Sequence, residues 1–201
     1  MQLVTITEPA AEPVSLNEMK LHSVLEGNAE DSLVLEKIAA ARRDAEERTQ
    51  RRFITTELEL TLDSFAGNFD SDESYVDAIP LPYSPLQSIV SVKYTDTNGT
   101  EQTLATSVYE VVLGREPGCL RLKYDQEWPE TRDHYGSVRV RYKVGYGDSA
   151  PSVPQGITAA IKSLAGELLE NREATLSGNI VAVLPFGYKA LLDPYRVEVL
   201  V

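Results

Sequence analysis

The sequence predicts an α+β protein. The two ends of the chain together make an α-helical bundle, and an antiparallel β domain is inserted between them. Three observations carry this. Apolar residues recur at helical spacing before residue 52 and again after residue 153. Between those stretches the apolar period becomes strict alternation, the mark of half-buried strands. An Asn98-Gly99 turn signal separates two β-like runs, as in a hairpin. The implied parts are 1–52 and 148–201 for the helical domain and 53–147 for the β insertion.

Residues 1–14 read as extended and end near Pro13. Ser15-Leu16-Asn17-Glu18 has the form of a capping box, with Ser at the N-cap and Glu three residues on. It opens a short helix to about Leu25, which Gly27 and Asn28 break. A second helix over 29–50 carries the stripe Val34, Ile38, Ala41, Ala45. Its outer face is expected to hold Glu36, Lys37, Arg42, Arg43, Asp44, Glu46, Glu47 and Arg48. Strands are expected over 56–62, 89–95, 100–104, 109–113, 119–124 and 137–144. Ile79-Pro80-Leu81-Pro82 suits only a sheet edge, because proline cannot donate to a ladder. Residues 66–77 are rich in Gly, Asn, Asp and Ser and read as a loop. After Gly145-Tyr146-Gly147-Asp148, Pro154 suits a first helical turn, and Ile157, Ile161, Leu164 and Leu168 form the next stripe. A Gly-containing apolar loop over 175–187 and a short helix ending at Arg196 follow, and 196–201 allows a last strand.

Hydrophobic residues make up 42% and charged residues 25%, so the chain has the composition of a packed globular protein rather than a disordered one. Its formal net charge of −12 argues against holding nucleic acid by phosphate neutralisation. The β region is the main source, with 16 acidic against 8 basic side chains. No apolar run approaches the ~20 residues that span a bilayer, and the first residues do not read as a signal peptide, so a soluble protein is expected. A lone cysteine, Cys119, allows no internal disulfide.

Chemistry is scarce. Nucleophilic catalysis needs a base beside the nucleophile and a group to orient it. His22 and His134 lie in no such motif, and Cys119 falls in an expected strand, where it reads as a packed thiol. Asp70, Asp72, Glu73 and Asp77 lack the ligand spacing of a calcium loop and read as a solvated acidic loop. Gly145 and Gly147 lack the third glycine and the immediate helix of a dinucleotide site. No enzyme activity, metal or cofactor is expected. The basic run Arg42, Arg43, Arg48, Arg51, Arg52 has two main readings: a solvated helix face with local ion pairs, or a contact with an acidic neighbouring subunit through these residues with Glu46 and Glu47. Trp128 and the ten tyrosines leave open a β-sandwich module that binds glycan or protein, and the many carboxylates leave open an acid–base hydrolase.

The ordered set PVSLNEMKLH, ERTQRRF, TDTNG, RVRYKVGYGD, VPQGITAAIKSLAGELLENRE and LPFGYKALLDPYR resembles the head–tail connector (adaptor, head-completion) proteins of long-tailed bacteriophages. Within them it is similar to the connector-like subfamily with an enlarged β insertion. The resemblance implies a structural protein of the virion neck, made in the host cytoplasm. Its subunits would form a ring, possibly a dodecamer, below the portal. The ring would extend the DNA channel without specific DNA binding and carry the next neck or tail-completion protein. It would involve no membrane. Portal docking or channel lining would fall to Leu176, Ile180, Val181, Val183, Leu184, Phe186, Tyr188, Tyr195 and Arg196. An apolar exposed loop such as 176–186 fits burial in a partner. The long β insertion would decorate the ring or contact tail proteins.

Overall fold

The computed structural model describes residues 1–65, 78–171 and 186–197. The chain divides into two compact units. One joins Met1–Pro9, Thr55–Tyr146 and Val197–Val201; the other joins Ala10–Ile54 and Gly147–Arg196. The expected Asp70, Asp72, Glu73 and Asp77 loop lies outside the described residues, as does most of the expected last strand.

The first unit is antiparallel throughout. Its strands are β1 (Gln2–Thr7), β2 (Thr56–Leu62), β3 (Ala78–Pro80), β4 (Leu86–Thr95), β5 (Glu101–Thr103), β6 (Tyr109–Val112), β7 (Cys119–Leu122) and β8 (Val138–Val144). They form a five-stranded sheet in the order β1-β2-β8-β4-β5 and a three-stranded sheet in the order β3-β7-β6. Alternation sets the faces. Leu58, Leu60 and Leu62 of β2 stand opposite Tyr142, Val140 and Val138 of β8, all buried in one core. On the other face Arg141 pairs with Glu59 at 2.8 Å, and Glu101 meets both Lys93 and Arg139. Cross-strand ion pairs of this kind contribute little, because water screens them. The apolar face holds the sheet.

Residues 1–9 depart from the sequence expectation, which placed them with the helices. β1 is an edge strand of the large sheet, with Leu3 opposite Leu60. Its β-branched run Val4, Thr5, Ile6, Thr7 suits a strand, but its partner lies over fifty residues away. The Asn98-Gly99 turn also differs in detail. Gly99 takes φ +84 while Asn98 does not take positive φ, and the Gly99 N–H donates to the Asp96 carbonyl at 2.9 Å. That is a type I turn with Gly at its fourth position, closed by the Asp96 carboxylate accepting from the Asn98 and Thr100 N–H groups. Those bonds hold the Asp96 carboxyl below its ordinary range, the one from Thr100 most. Pro80 sits on edge strand β3, as its missing donor requires. Gly118 is needed for packing: a Cβ there would come within 2.7 Å of Leu86.

The second unit is helical: α1 (Leu16–His22), α2 (Asp31–Thr49), α3 (Gln155–Glu170) and α4 (Phe186–Leu192). The capping box is present, with Ser15 N–H donating to Glu18 at 2.9 Å and Glu18 N–H donating to Ser15 Oγ at 3.3 Å. These bonds hold the Glu18 carboxyl below its ordinary range, the backbone one most. α1 stops at His22, earlier than expected. The Leu25 N–H bonds back to the Lys20 carbonyl and Val24 turns left-handed at φ +54, a Schellman closure. α2 ends on Gln50, also left-handed. The buried stripe of α3 is Ile157, Ile161, Leu164 with Ala160, Ala165 and Leu169; Leu169 takes the place expected for Leu168, because 3.6 residues per turn carries the stripe on from Ala165. α2 packs on α3 and α4, and α1 on α2 and α3.

Leu60→Ala, at a fully buried site of the large sheet, is expected to cost about 2–5 kcal/mol in urea unfolding. Glu18→Gln is expected to lower stability at neutral pH. The folded pKa of Glu18 is depressed, so the wild-type advantage is present above the unfolded pKa and is lost as pH falls through the folded one. Thermal melts of both proteins from pH 7 to pH 3 should therefore converge.

Candidate functional site: the charged helical unit

The basic run of α2 does not lie on one outer face. Arg42 and Glu46 are 5% and 1% exposed. They are corrected from solvent-facing or intersubunit residues to members of an internal network. The physical reason is register: position 42 follows Ile38 by four residues and position 46 follows Arg42 by four, so both continue the buried stripe. Arg42 grips Glu12 with Nε at 2.7 Å and Nη2 at 3.3 Å, and donates to Glu46 Oε2 at 3.0 Å. Glu46 Oε1 accepts the Phe53 N–H at 3.1 Å, and Arg52 lies 3.4 Å from Oε2 and 3.2 Å from Glu47. Burial disfavours the Arg42 cation, but the bonds to Glu12 and the nearby Glu46 charge outweigh it and raise its pKa. For Glu46, burial is the largest influence and pushes its carboxyl up, against Arg42, Arg52 and the Phe53 N–H.

Arg51 is internal as well, 8% exposed, with Nε donating to the Tyr195 carbonyl at 2.5 Å. Arg43, Glu47 and Arg48 are exposed. Arg48 donates to Asp44 Oδ2 at 2.6 Å and lies 5.8 Å over the Tyr188 ring.

Tyr188 is another correction. Expected at a docking or channel surface, it is fully buried, and its hydroxyl donates to Asp44 Oδ2 at 2.6 Å. Burial first, then the bond to Asp44, pushes its phenol well above the ordinary tyrosine range. Its work is to seat α4 on α2. The turn after α4 is seated too, since a Cβ on Gly156 would lie 2.9 Å from the Tyr195 ring. Arg196 remains exposed. Phe186 begins α4; Leu176, Ile180, Val181, Val183 and Leu184 lie outside the described residues.

The chemical candidates resolve into structural ones. Cys119 is buried and its thiol is pushed up, chiefly by burial. Trp128 stacks on Phe65, ring centroids 4.9 Å apart and nearly parallel, and Phe65 meets Tyr94 edge-on at 5.7 Å. Trp128 is therefore engaged in core packing rather than free as a sugar platform. Among the described residues no three His, Cys, Asp or Glu side chains gather in a metal-binding group, and no helix is long and apolar enough to cross a membrane.

Arg42→Met is expected to destabilise the protein by about 3–5 kcal/mol, because it takes the guanidinium from Glu12 and leaves Glu46 only Arg52 and the Phe53 N–H, read by chemical denaturation. Tyr188→Phe removes one hydrogen bond to a carboxylate and should cost about 1.5 kcal/mol, with faster amide exchange in α4.

Comparison with known proteins gives the chain a family. The phage gp6-like head-tail connector protein family model matches residues 13–116, more than half of the chain, and the chain belongs to that family. No curated protein matches it. Its fold is similar to a chain in the neck of an empty GTA particle computed with C6 symmetry, at TM-score 0.80 and 21% identity, covering 100% of this chain and 98% of that one. A chain in the virion of a native gene transfer agent (GTA) particle matches at TM-score 0.78 and 22% identity, with the same coverage. One in the neck of a native GTA particle computed with C12 symmetry matches at TM-score 0.73 and 23% identity, again with 100% and 98% covered. At these identities the likeness is one of fold.

Proposed function

We propose that this member of the phage gp6-like head-tail connector family is a structural protein of the virion neck. Its subunits form a ring, of twelve copies, below the portal. The ring lengthens the DNA channel and offers the next neck or tail-completion protein a platform. The observation that supports this most is the family match over residues 13–116, joined to a likeness of fold along the whole chain to proteins of particle necks.

Charge fits the role. A protein of net charge −12 repels phosphate, so DNA passes the ring without sticking. The role is mechanical, and no catalytic step, metal or cofactor is assigned to it. The helices make the ring body. The 175–187 segment and the end at Tyr195 and Arg196 dock on the portal or line the channel. The seating of α4 by Tyr188 and of the following turn by Arg51 holds that end in place. The protein reaches the portal vertex after synthesis in the host cytoplasm and meets no membrane.

The test mixes purified protein with DNA-filled, tailless heads and measures binding by sedimentation and electron microscopy. Ring density at the portal vertex is expected. Heads that accept other neck proteins yet bind none of this one would reject the reading. Deleting residues 176–184 is expected to leave the far-ultraviolet circular dichroism intact and to abolish docking.

A further inference from the structure

The end of α1 has a valine where its backbone favours glycine. The Schellman closure puts its left-handed residue at Val24, φ +54, and a β-branched side chain is strained there. The Val24 side chain is 84% exposed, so it adds almost no packing in return. Strain of this kind persists where surrounding structure imposes it, and it gathers at functional contacts. Here the Leu25 N–H bond to the Lys20 carbonyl closes around Val24, and the Lys20 ammonium braces the chain beyond it, donating to the Gly27 carbonyl, to Asn28 Oδ1 at 3.0 Å and to Asp31 Oδ1 at 2.7 Å. Leu21, three residues earlier, is 83% exposed. The two make an apolar knob, and the exposed carboxylates beside it in sequence are Glu18 and Glu26.

A surface that carries a cation, with exposed Asp193 just after it, lies elsewhere in the same unit. α4 buries Tyr188 and Leu192, and Lys189, Ala190 and Leu191 fan across its exposed side, with Ala190 in the middle. Lys189 is the only charged residue in that helix. Their contacts set the two surfaces at opposite ends of the α2–α3 pair. Residues of α1 meet Asp31 and the Gly166 end of α3. α4 meets Asp44, and the turn after it meets Gly156. Asp31 and Asp44 are separated by about 20 Å along α2, too far for the knob and the α4 face to meet within one subunit.

We propose that the Leu21 and Val24 knob of one subunit docks on the exposed face of α4 in a second copy of this chain, with Glu26 set against Lys189. Two different patches meeting head to tail form a heterologous contact, the kind that closes into rings. The inference rests on the neck-ring reading and names the contact that builds the ring.

The test assembles necks on tailless heads and counts bound copies. Val24→Gly relieves the strain and removes half the knob. Its melting temperature should rise by about 2 °C while neck occupancy at limiting protein falls about tenfold. That split separates a docking role from a folding defect. Glu26→Lys should also lower occupancy, and Lys189→Glu in the same chain should restore it. Wild-type occupancy for Val24→Gly, or a Glu26→Lys defect that Lys189→Glu leaves unchanged, overturns the contact and leaves the neck reading standing. Failure of the wild-type protein to join heads overturns the neck reading, and this contact falls with it.

Discussion

The helical unit depends on a carboxylate that water cannot reach. Glu46 lies near the C-terminal end of α2, where the helix dipole opposes negative charge, and it is almost fully buried. It is tolerable there only with its partners in place. Arg42 approaches along the helix, Arg52 from beyond its end, and the Phe53 N–H turns back to it. Each partner constrains a piece of chain. Arg42 also grips Glu12 and so ties down the segment that leads into α1. The Phe53 bond sets the path out of α2, by way of the left-handed Gln50. Such a network adds little net stability, because desolvation offsets attraction. It penalises every arrangement that leaves one member unpaired. Its effect is to specify one geometry.

Polar contacts with single-residue precision also seat the C-terminal helix. Tyr188 reaches Asp44, Arg48 lies over the same ring, and Arg51 holds the Tyr195 carbonyl. A helix of seven residues has little stability of its own, so these contacts carry it. In the neck role proposed above the benefit is mechanical, since the segment proposed to dock would be presented at a fixed angle. The β unit reaches order differently, through one apolar face of a twisted sheet and a three-ring cluster of Trp128, Phe65 and Tyr94. Its outer face is laced with ion pairs of both signs, which keeps the sheet surface hydrated and spends few of its carboxylates on repulsion.

The periodicities by themselves determined the class of this protein, α+β with helices on either side of a β region, and most of its elements. The 3.6-residue and two-residue periods report which face of an element is buried, and that is a local property of the chain. The capping box and the Asp96–Gly99 turn were legible for the same reason: their bonds close within four residues. The ordered motifs also carried the family. What only the tertiary structure decided was which partner each face or charge meets. β1 joins a sheet because Leu3 finds Leu60, and nothing near Leu3 in sequence marks that pairing. Arg42 and Glu46 looked like surface charges because a charged side chain is usually hydrated. They are internal because Glu12, Arg52 and the Phe53 N–H converge on them, and such convergence costs chain entropy that only a complete fold repays. Tyr188 is buried for a like reason: a tyrosine can serve a surface or a core, and the Asp44 acceptor across the helix pair settles it.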